Sequence, residues 1–183
     1  MSDLPLFLGQ FIRRPSEIRS VIPTGRATAR EMARLVSPDM RAVAEIGAGT
    51  GTVTRSILAR GLPPERLDLY ELNAAFCDRL RSRFPGTRVH NHPAQEMANR
   101  AGEPFDAVIS GVPTLPMPDE LQAAIVGAAL SVMRPGAPFV QITYGPLPPL
   151  SEATRRRFGL SHERSRRIWA NLPPARVYVF RQE

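Results

Sequence analysis

The sequence predicts an α/β protein in which one mostly parallel sheet is flanked by helices in a single domain. Three observations carry that expectation. Short apolar runs suited to buried parallel strands alternate with stretches of helical period. A glycine cluster, Gly47-Ala48-Gly49-Thr50-Gly51, separates the first such strand from the helix after it. An acidic residue, Glu71, ends the next strand. The chain of 183 residues has room for one core and not for two comfortable domains.

In chain order, residues 1–36 read as an N-terminal helical amphipathic segment. Leu4, Phe7, Phe11, Ile12, Ile18 and Ile22 are interleaved there with Arg13, Arg14 and Arg19. Pro15 and Pro23 divide it, and Thr24 is a candidate cap for a helix running to about residue 36. The α/β domain proper is expected over 37–183 and opens with a buried strand at 41–46. A helix over 52–60, a strand at 67–72 and a helix over 74–84 follow, the last with Phe76, Leu80 and Phe84 on one face. Strands are expected at 87–91 and 105–110, then a helix at 120–133 stopped by Pro135-Gly136. Strands at 138–144 and 176–180 close the series, and the arginine-rich residues 150–171 between them are expected to be partly helical.

Hydrophobic residues make up 43% of the chain, enough for a core of the usual kind. All 24 cationic side chains are arginines, against 17 acids, for a net charge of +7. Guanidinium is always charged and grips phosphate through a planar fork, so polyanions should attract this surface. An anionic membrane fits better than nucleic acid, because aromatic residues for base stacking are sparse, with one Trp and three Tyr. Cys77 is the single cysteine, which fits a reducing cytoplasm. In Ala75-Phe76-Cys77-Asp78 it reads as a small buried hydrophobe rather than a nucleophile. The N-terminus lacks a basic-then-apolar secretory pattern. The longest apolar run, 123–133, is about half of a membrane span. The expected location is therefore cytoplasmic, peripheral to the inner face of the membrane.

The glycine cluster carries the chemistry. Glycines let backbone N–H groups approach a ligand, and the helix start beyond them favours an anionic group. Glu71, about 20 residues further on, stands where the doubly wound fold places an acceptor for a ribose diol. A dinucleotide fingerprint would need glycine at position 52, where Thr52 stands, and no P-loop lysine follows. The same glycines could instead serve only a tight strand–helix turn.

The run Glu45-Ile46-Gly47-Ala48-Gly49-Thr50-Gly51 resembles the cofactor loop of class I S-adenosylmethionine-dependent methyltransferases. That resemblance implies a Rossmann-like fold with a mostly parallel seven-stranded sheet. It implies S-adenosylmethionine as cofactor and S-adenosylhomocysteine as product. Glu45, Gly47, Ala48, Gly49 and Gly51 would cradle the methionine end and Glu71 the ribose, with Leu72, Ala94, Gln95 and Ser110 completing the set. The acidic residue that the family uses near adenine is replaced by Pro93, with Gln95 as a substitute partner for the base. His90 and His92, at strand spacing, allow a metal reading, but no third ligand is evident and two ordinary histidines are expected.

Adenine-N6 dimethylases of ribosomal RNA carry Asn-Leu/Ile-Pro-aromatic after the fourth strand. Here Ser110 stands for the amide and Thr114 for the ring, which argues against base methylation. Longer pieces resemble the bacterial phospholipid N-methyltransferases that act on phosphatidylethanolamine. They are Ile22-Pro23-Thr24, Glu45–Gly51, Ser110-Gly111-Val112-Pro113, Gln141-Ile142-Thr143-Tyr144-Gly145-Pro146 and Asn171-Leu172-Pro173-Pro174-Ala175. The resemblance implies methylation of a lipid amine, with Gly111 and Pro113 at the substrate. Arg13, Arg14, Arg19, Arg166 and Arg167 are the candidate membrane contacts. The same entry segment could pack on the domain with its charges in water, and the arginine cluster could be a solvated face. Tyr144 is the candidate catalytic residue, orienting the head group or passing its proton to water, or else an edge tyrosine filling space. An RNA methyltransferase, a small-molecule methyltransferase and a non-catalytic lipid- or RNA-binding relative are the alternatives.

Overall fold

Alternating apolar strands and helices build one sheet in this computed structural model, which describes residues 24–183. Arg13, Arg14 and Arg19, the expected membrane contacts of the entry segment, lie outside the described residues. The strands are β1 (Val43–Ile46), β2 (Leu67–Tyr70), β3 (Arg88–His90), β4 (Ala107–Ser110), β5 (Phe139–Thr143), β6 (Leu160–Arg164) and β7 (Arg176–Gln182). The helices are α1 (Arg26–Met32), α2 (Thr52–Leu58), α3 (Ala74–Arg83), α4 (Asp119–Ser131) and α5 (Glu152–Arg157). Short 3-10 turns occupy Pro64–Arg66 and Ala94–Asn99.

The strand order is β3-β2-β1-β4-β5-β7-β6. The first five strands are parallel, while β7 runs antiparallel to both β5 and β6. This is the seven-stranded, mostly parallel arrangement expected. β1, β2, β4 and β5 are buried at every position, as central strands covered on both faces must be. Ala29, Met32, Val53, Ile57 and Leu80 of α1–α3 pack on one face against Leu69, Ile109, Val140 and Val177. Leu121, Ile125 and Val126 of α4 cover the other, against Val108, Phe139, Tyr178 and Phe180. Residues 26–36 of the entry segment thus contribute to the same core, with Ala33 and Val36 also buried.

Most element ends lie within two residues of the expected ones, and three differences bear on the site or the sheet. The stretch 150–171 contains the edge strand β6 as well as a helix. Only Leu160 of β6 is buried, so the strand shows no apolar alternation. Helix α1 ends at Met32 rather than near residue 36. β2 ends at Tyr70, which leaves Glu71 one residue beyond the strand.

Because β1, β2, β4 and β5 run the same way, their carboxyl ends share one edge of the sheet and their amino ends the other. The amino edge is locked by paired charges. Asp106 accepts from the backbone of Arg41 and Ala42 and from Arg134 Nε at 2.7 Å, and Arg134 also meets Glu103 at 2.8 Å. On β2, Asp68 is 1% exposed yet meets Arg88, His90 and Arg100. Burial alone would raise its pKa, but the hydrogen bonds from His90 and Arg88 outweigh that and hold it near 2.

Candidate cofactor and substrate site

The chain leaves β1 at the carboxyl edge and turns tightly. Gly47 N–H donates to the Tyr70 carbonyl at 2.8 Å, and Gly111 N–H to the Ile46 carbonyl at 2.8 Å. These bonds press the glycine loop between the ends of β2 and β4. Two glycines are required for different reasons. At Gly51, φ is +79° and a Cβ would lie 2.3 Å from the Phe84 ring, so the protein's own packing excludes a side chain. At Gly49, φ is +53°, but a Cβ would meet nothing nearer than the Gly47 carbonyl at 3.9 Å. The space over Gly49 is open, as a ligand cradle requires.

Glu71 closes this cradle from the β2 side. One carboxylate oxygen accepts from Gly49 N–H and the other from Asn73 N–H, each at 2.8 Å. Asn73 caps α3 by accepting from Ala75 and Phe76 N–H, and Asn91 Nδ2 donates to the carbonyls of Glu71 and Leu72. Glu71 is half-buried and Leu72 is exposed beside it, an acceptor next to an apolar surface. Open backbone, a carboxylate and an apolar side chain in that order fit the methionine, ribose and base of S-adenosylmethionine. Ala94 and Gln95, buried and half-buried, lie on the 3-10 turn after β3.

Glu45 is placed differently. It is 1% exposed beneath the loop and accepts from Thr54 Oγ1 at 2.6 Å, which ties α2 to β1. Burial pushes its carboxyl up to about 8, with Thr54 opposing and the charge of Glu71 adding to the rise. Ser110 is fully buried and its Oγ accepts from Val112 N–H at 3.4 Å, while Gly111 is half-buried and Pro113 exposed. The structure therefore brings Gly47–Gly51, Glu71, Leu72 and 110–113 to one edge, with Glu45 as a support underneath.

Tyr144 stands one residue beyond β5 at the same edge, half-buried. Burial raises its pKa, opposed by a hydrogen bond with the Thr24 side chain. The phenol is thus protonated at neutral pH and acts, where it acts, as a hydroxyl. Arg166 and Arg167 are exposed in the 165–175 loop, where Arg167 lies 5.3 Å from the Trp169 ring. The two histidines are not paired with each other. His90 stacks on Tyr70 and meets Asp68 at 2.7 Å, while His92 meets Glu96 at 3.1 Å. Among the described residues no group of His, Cys, Asp and Glu could hold a metal ion. A depression of about 660 Å³ lined by the paired charges of Asp68, Arg88, His90 and Arg100 lies away from the loop.

Asn171 and Gln141 matter here, and sequence reasoning assigned neither a role. Asn171 is 3% exposed; its Oδ1 accepts from Gly25 N–H at 2.7 Å and Thr28 Oγ1 at 3.0 Å, and its Nδ2 donates to the Pro173 carbonyl. It fastens the start of α1 to the 165–175 loop. Gln141 Nε2 donates to the Val112 carbonyl at 2.7 Å and so holds the 110–113 stretch. Both stand in pieces singled out by resemblance, but a buried amide looks like any other until its partners are known.

The fold and this edge define a class I S-adenosylmethionine-dependent methyltransferase. A family model described as a methyltransferase domain matches residues 43–136, and the chain belongs to that family. Among its relatives is an ornithine lipid N-methyltransferase of Singulisphaera acidiphila, 31% identical over 191 residues, which span 99% of this chain and 97% of that protein. An O-methyltransferase from Bacillus cereus in complex with SAH superposes with a TM-score of 0.68 at 16% identity, covering 100% of this chain and 92% of that one. A 1,6-didemethyltoxoflavin-N1-methyltransferase from Burkholderia thailandensis, also with S-adenosylhomocysteine, gives 0.68 at 18% identity, over 98% and 89% of the two chains. The protein is an enzyme whose cofactor is S-adenosylmethionine. When bound, that cofactor supplies a methyl group already activated by its sulfonium.

Proposed function

We propose that this methyltransferase acts on the amino head group of phosphatidylethanolamine at an anionic membrane surface, with successive methylations toward phosphatidylcholine. One observation carries the reading. The exposed large hydrophobics of the described residues are Leu72, Leu115, Leu147, Trp169 and Leu172, and all stand at the carboxyl edge. Leu72 follows β2, Leu115 follows β4 and lies under Gly145, and Leu147 follows β5. Trp169 and Leu172 precede β7, whose first residue Arg176 pairs with Thr143 at the end of β5. Trp169 is 72% and Leu172 90% exposed, a cost in water that a bilayer interface would remove. With Arg166 and Arg167 beside them, apolar tips and cations share one rim around the cradle.

The chain's tasks follow from the chemistry of an amine. An ammonium has no lone pair to offer, so it must lose a proton and then be aligned in a site free of water. The apolar rim serves exclusion, Gly111 and Pro113 line the approach, and the Tyr144 hydroxyl orients the amine or relays its proton. No helix among the described residues is long and apolar enough to cross a membrane, and the proposed association is peripheral, on the cytoplasmic face. Arg13, Arg14 and Arg19 are proposed to add to it. The relative from Singulisphaera acidiphila favours a second reading, in which the amine belongs to an ornithine lipid. Incubation with methyl-labelled cofactor and vesicles of either lipid, or ribosomal RNA, tests both. Label in phosphatidylethanolamine is expected. Label confined to ornithine lipid selects the second reading, and label in RNA with both lipids untouched refutes both.

A further inference from the structure

Two buried side-chain atoms among the described residues have no hydrogen-bond partner, Gln141 Oε1 and Arg176 Nε. Buried polar atoms are almost always paired, so two orphans in one place need a cause. They are neighbours by register. Gln141 pairs with Tyr178 and Thr143 with Arg176 across β5 and β7, so Gln141 and Arg176 are diagonal on one sheet face. Tyr178 and Phe180 place that face on the α4–α5 side. The amide of Gln141 cannot be turned round, since its Nε2 already donates to two carbonyls, of Val112 and Ile142. The wall behind Arg176 is therefore polar, with an acceptor left over.

The register places further cations on the same face as Arg176. Across β6 and β7, Arg164 pairs with Tyr178 and so stands diagonal to Arg176 on the same face. His162, on that face too, rests against Tyr178 and Phe180. Its pKa is lowered by burial and then by Arg155 and Arg164, which places both cations close by. Arg155 spends its Nε on the Leu150 carbonyl. Among the described residues no acidic side chain pairs with Arg155, Arg164 or Arg176, although most arginines of the amino edge have such partners. Cations grouped at the surface raise the local positive potential and so favour an anion there.

We infer that Arg176, flanked by Arg164, is the binding site for an anionic oxygen group of a lipid head group, a phosphodiester or a carboxylate. The site stands at the first residue of β7, opposite the last residue of β5, at the same edge of the sheet as Tyr144 but on the other face. The ligand assignment rests on the lipid-amine reading. Both candidate lipids join an amine to an anion, the phosphodiester in phosphatidylethanolamine and the carboxylate in ornithine. Arg176 is half-buried with its Nε sealed inside, so the terminal nitrogens of its planar guanidinium are the donors that can offer two parallel hydrogen bonds to either anion.

The test uses Arg176→Met, which keeps the apolar stem, and Arg176→Lys, which keeps the charge without the fork. Inorganic phosphate binding, read by calorimetry on the whole protein, should weaken at least about tenfold in Arg176→Met and less in Arg176→Lys, with cofactor affinity unchanged in both. With a short-chain phosphatidylethanolamine below its micelle concentration, KM should rise about tenfold and kcat should stay within about twofold. If KM is unchanged but sedimentation with phosphatidylethanolamine–phosphatidylglycerol vesicles falls, the anion belongs to a neighbouring lipid and the site stands. If phosphate binding is lost in Arg176→Met while no lipid amine is methylated by the parent protein, the site stands and the lipid reading fails. A folded Arg176→Met protein with unchanged phosphate binding, KM and vesicle affinity overturns the inference.

Discussion

The two edges of the sheet spend their charges in opposite ways. At the amino edge, Arg134 meets Asp106 and Glu103, Arg66 reaches the carbonyls of Pro38 and Met40, and Arg60 that of Val36. At the carboxyl edge, Arg164, Arg166 and Arg176 have no such partners among the described residues, and Trp169 and Leu172 stand in solvent. One edge is finished as a folded surface. The other has the makings of an interface and keeps the cofactor cradle at its centre. The difference separates residues that hold the fold from residues held ready by it.

The largest effect should come from the finished side. Asp68→Ala removes the one carboxylate shared by Arg88, His90 and Arg100 and leaves cations without a counter-charge. Losing one side of a buried network costs about 3–5 kcal/mol, read as a lower urea midpoint. Protein of this variant that remains folded should bind vesicles as the parent does. A neutral Asp68→Ala would mean that the network is ornamental and the contrast between edges is weaker than described.

Glu45 gives the next effect and the opposite sign. Its folded pKa is about 8 against 4.5 in a free chain, so between those values the folded state keeps a proton that the unfolded state releases. Stability without cofactor should therefore fall as pH rises from about 4.5 to 8, by up to several kcal/mol. Glu45→Gln should flatten the slope and leave the protein more stable than its parent at pH 8. Parallel pH profiles for the two proteins would contradict the burial of this carboxyl.

At the cradle, Glu71→Ala removes the acceptor of Gly49 N–H and the proposed acceptor of the ribose. Cofactor affinity should drop by about 1.5–3 kcal/mol in calorimetry, with little loss of stability. Gly49→Val should abolish binding, because φ is +53° there and the side chain would enter the open space. Unchanged affinity in folded Glu71→Ala would remove the ribose assignment.

What the sequence made legible follows the same division. The central strands and the tight turn of the glycine loop could be read directly, because full burial and positive φ restrict residue choice there. β6 could not, since Leu-Ser-His-Glu-Arg faces water on four positions and its pairing with β7 leaves no pattern. Arg176 was hidden for a different reason. An arginine opening an apolar strand looks like any surface cation, and its lack of a partner is a property of the packed sheet. Asn171 likewise gains meaning only from Gly25 and Thr28, which lie more than a hundred residues away in the chain.

The smallest effects on folding, and the most telling for function, lie at Trp169 and Leu172. Leu172→Glu should change stability by less than about 0.5 kcal/mol, since the side chain is 90% exposed. Vesicle affinity should nevertheless fall about tenfold, the worth of one buried leucine being about 1.5–3 kcal/mol. Trp169 is the one tryptophan of the chain, so its fluorescence reports on this rim alone. The most direct measurement is its emission on titration with anionic vesicles carrying brominated acyl chains. A blue shift with quenching, reversed by salt, is the result expected of an edge that rests on a bilayer. Emission that stays water-like and unquenched, at lipid concentrations where the enzyme methylates its substrate, would contradict the proposal that this edge faces a membrane.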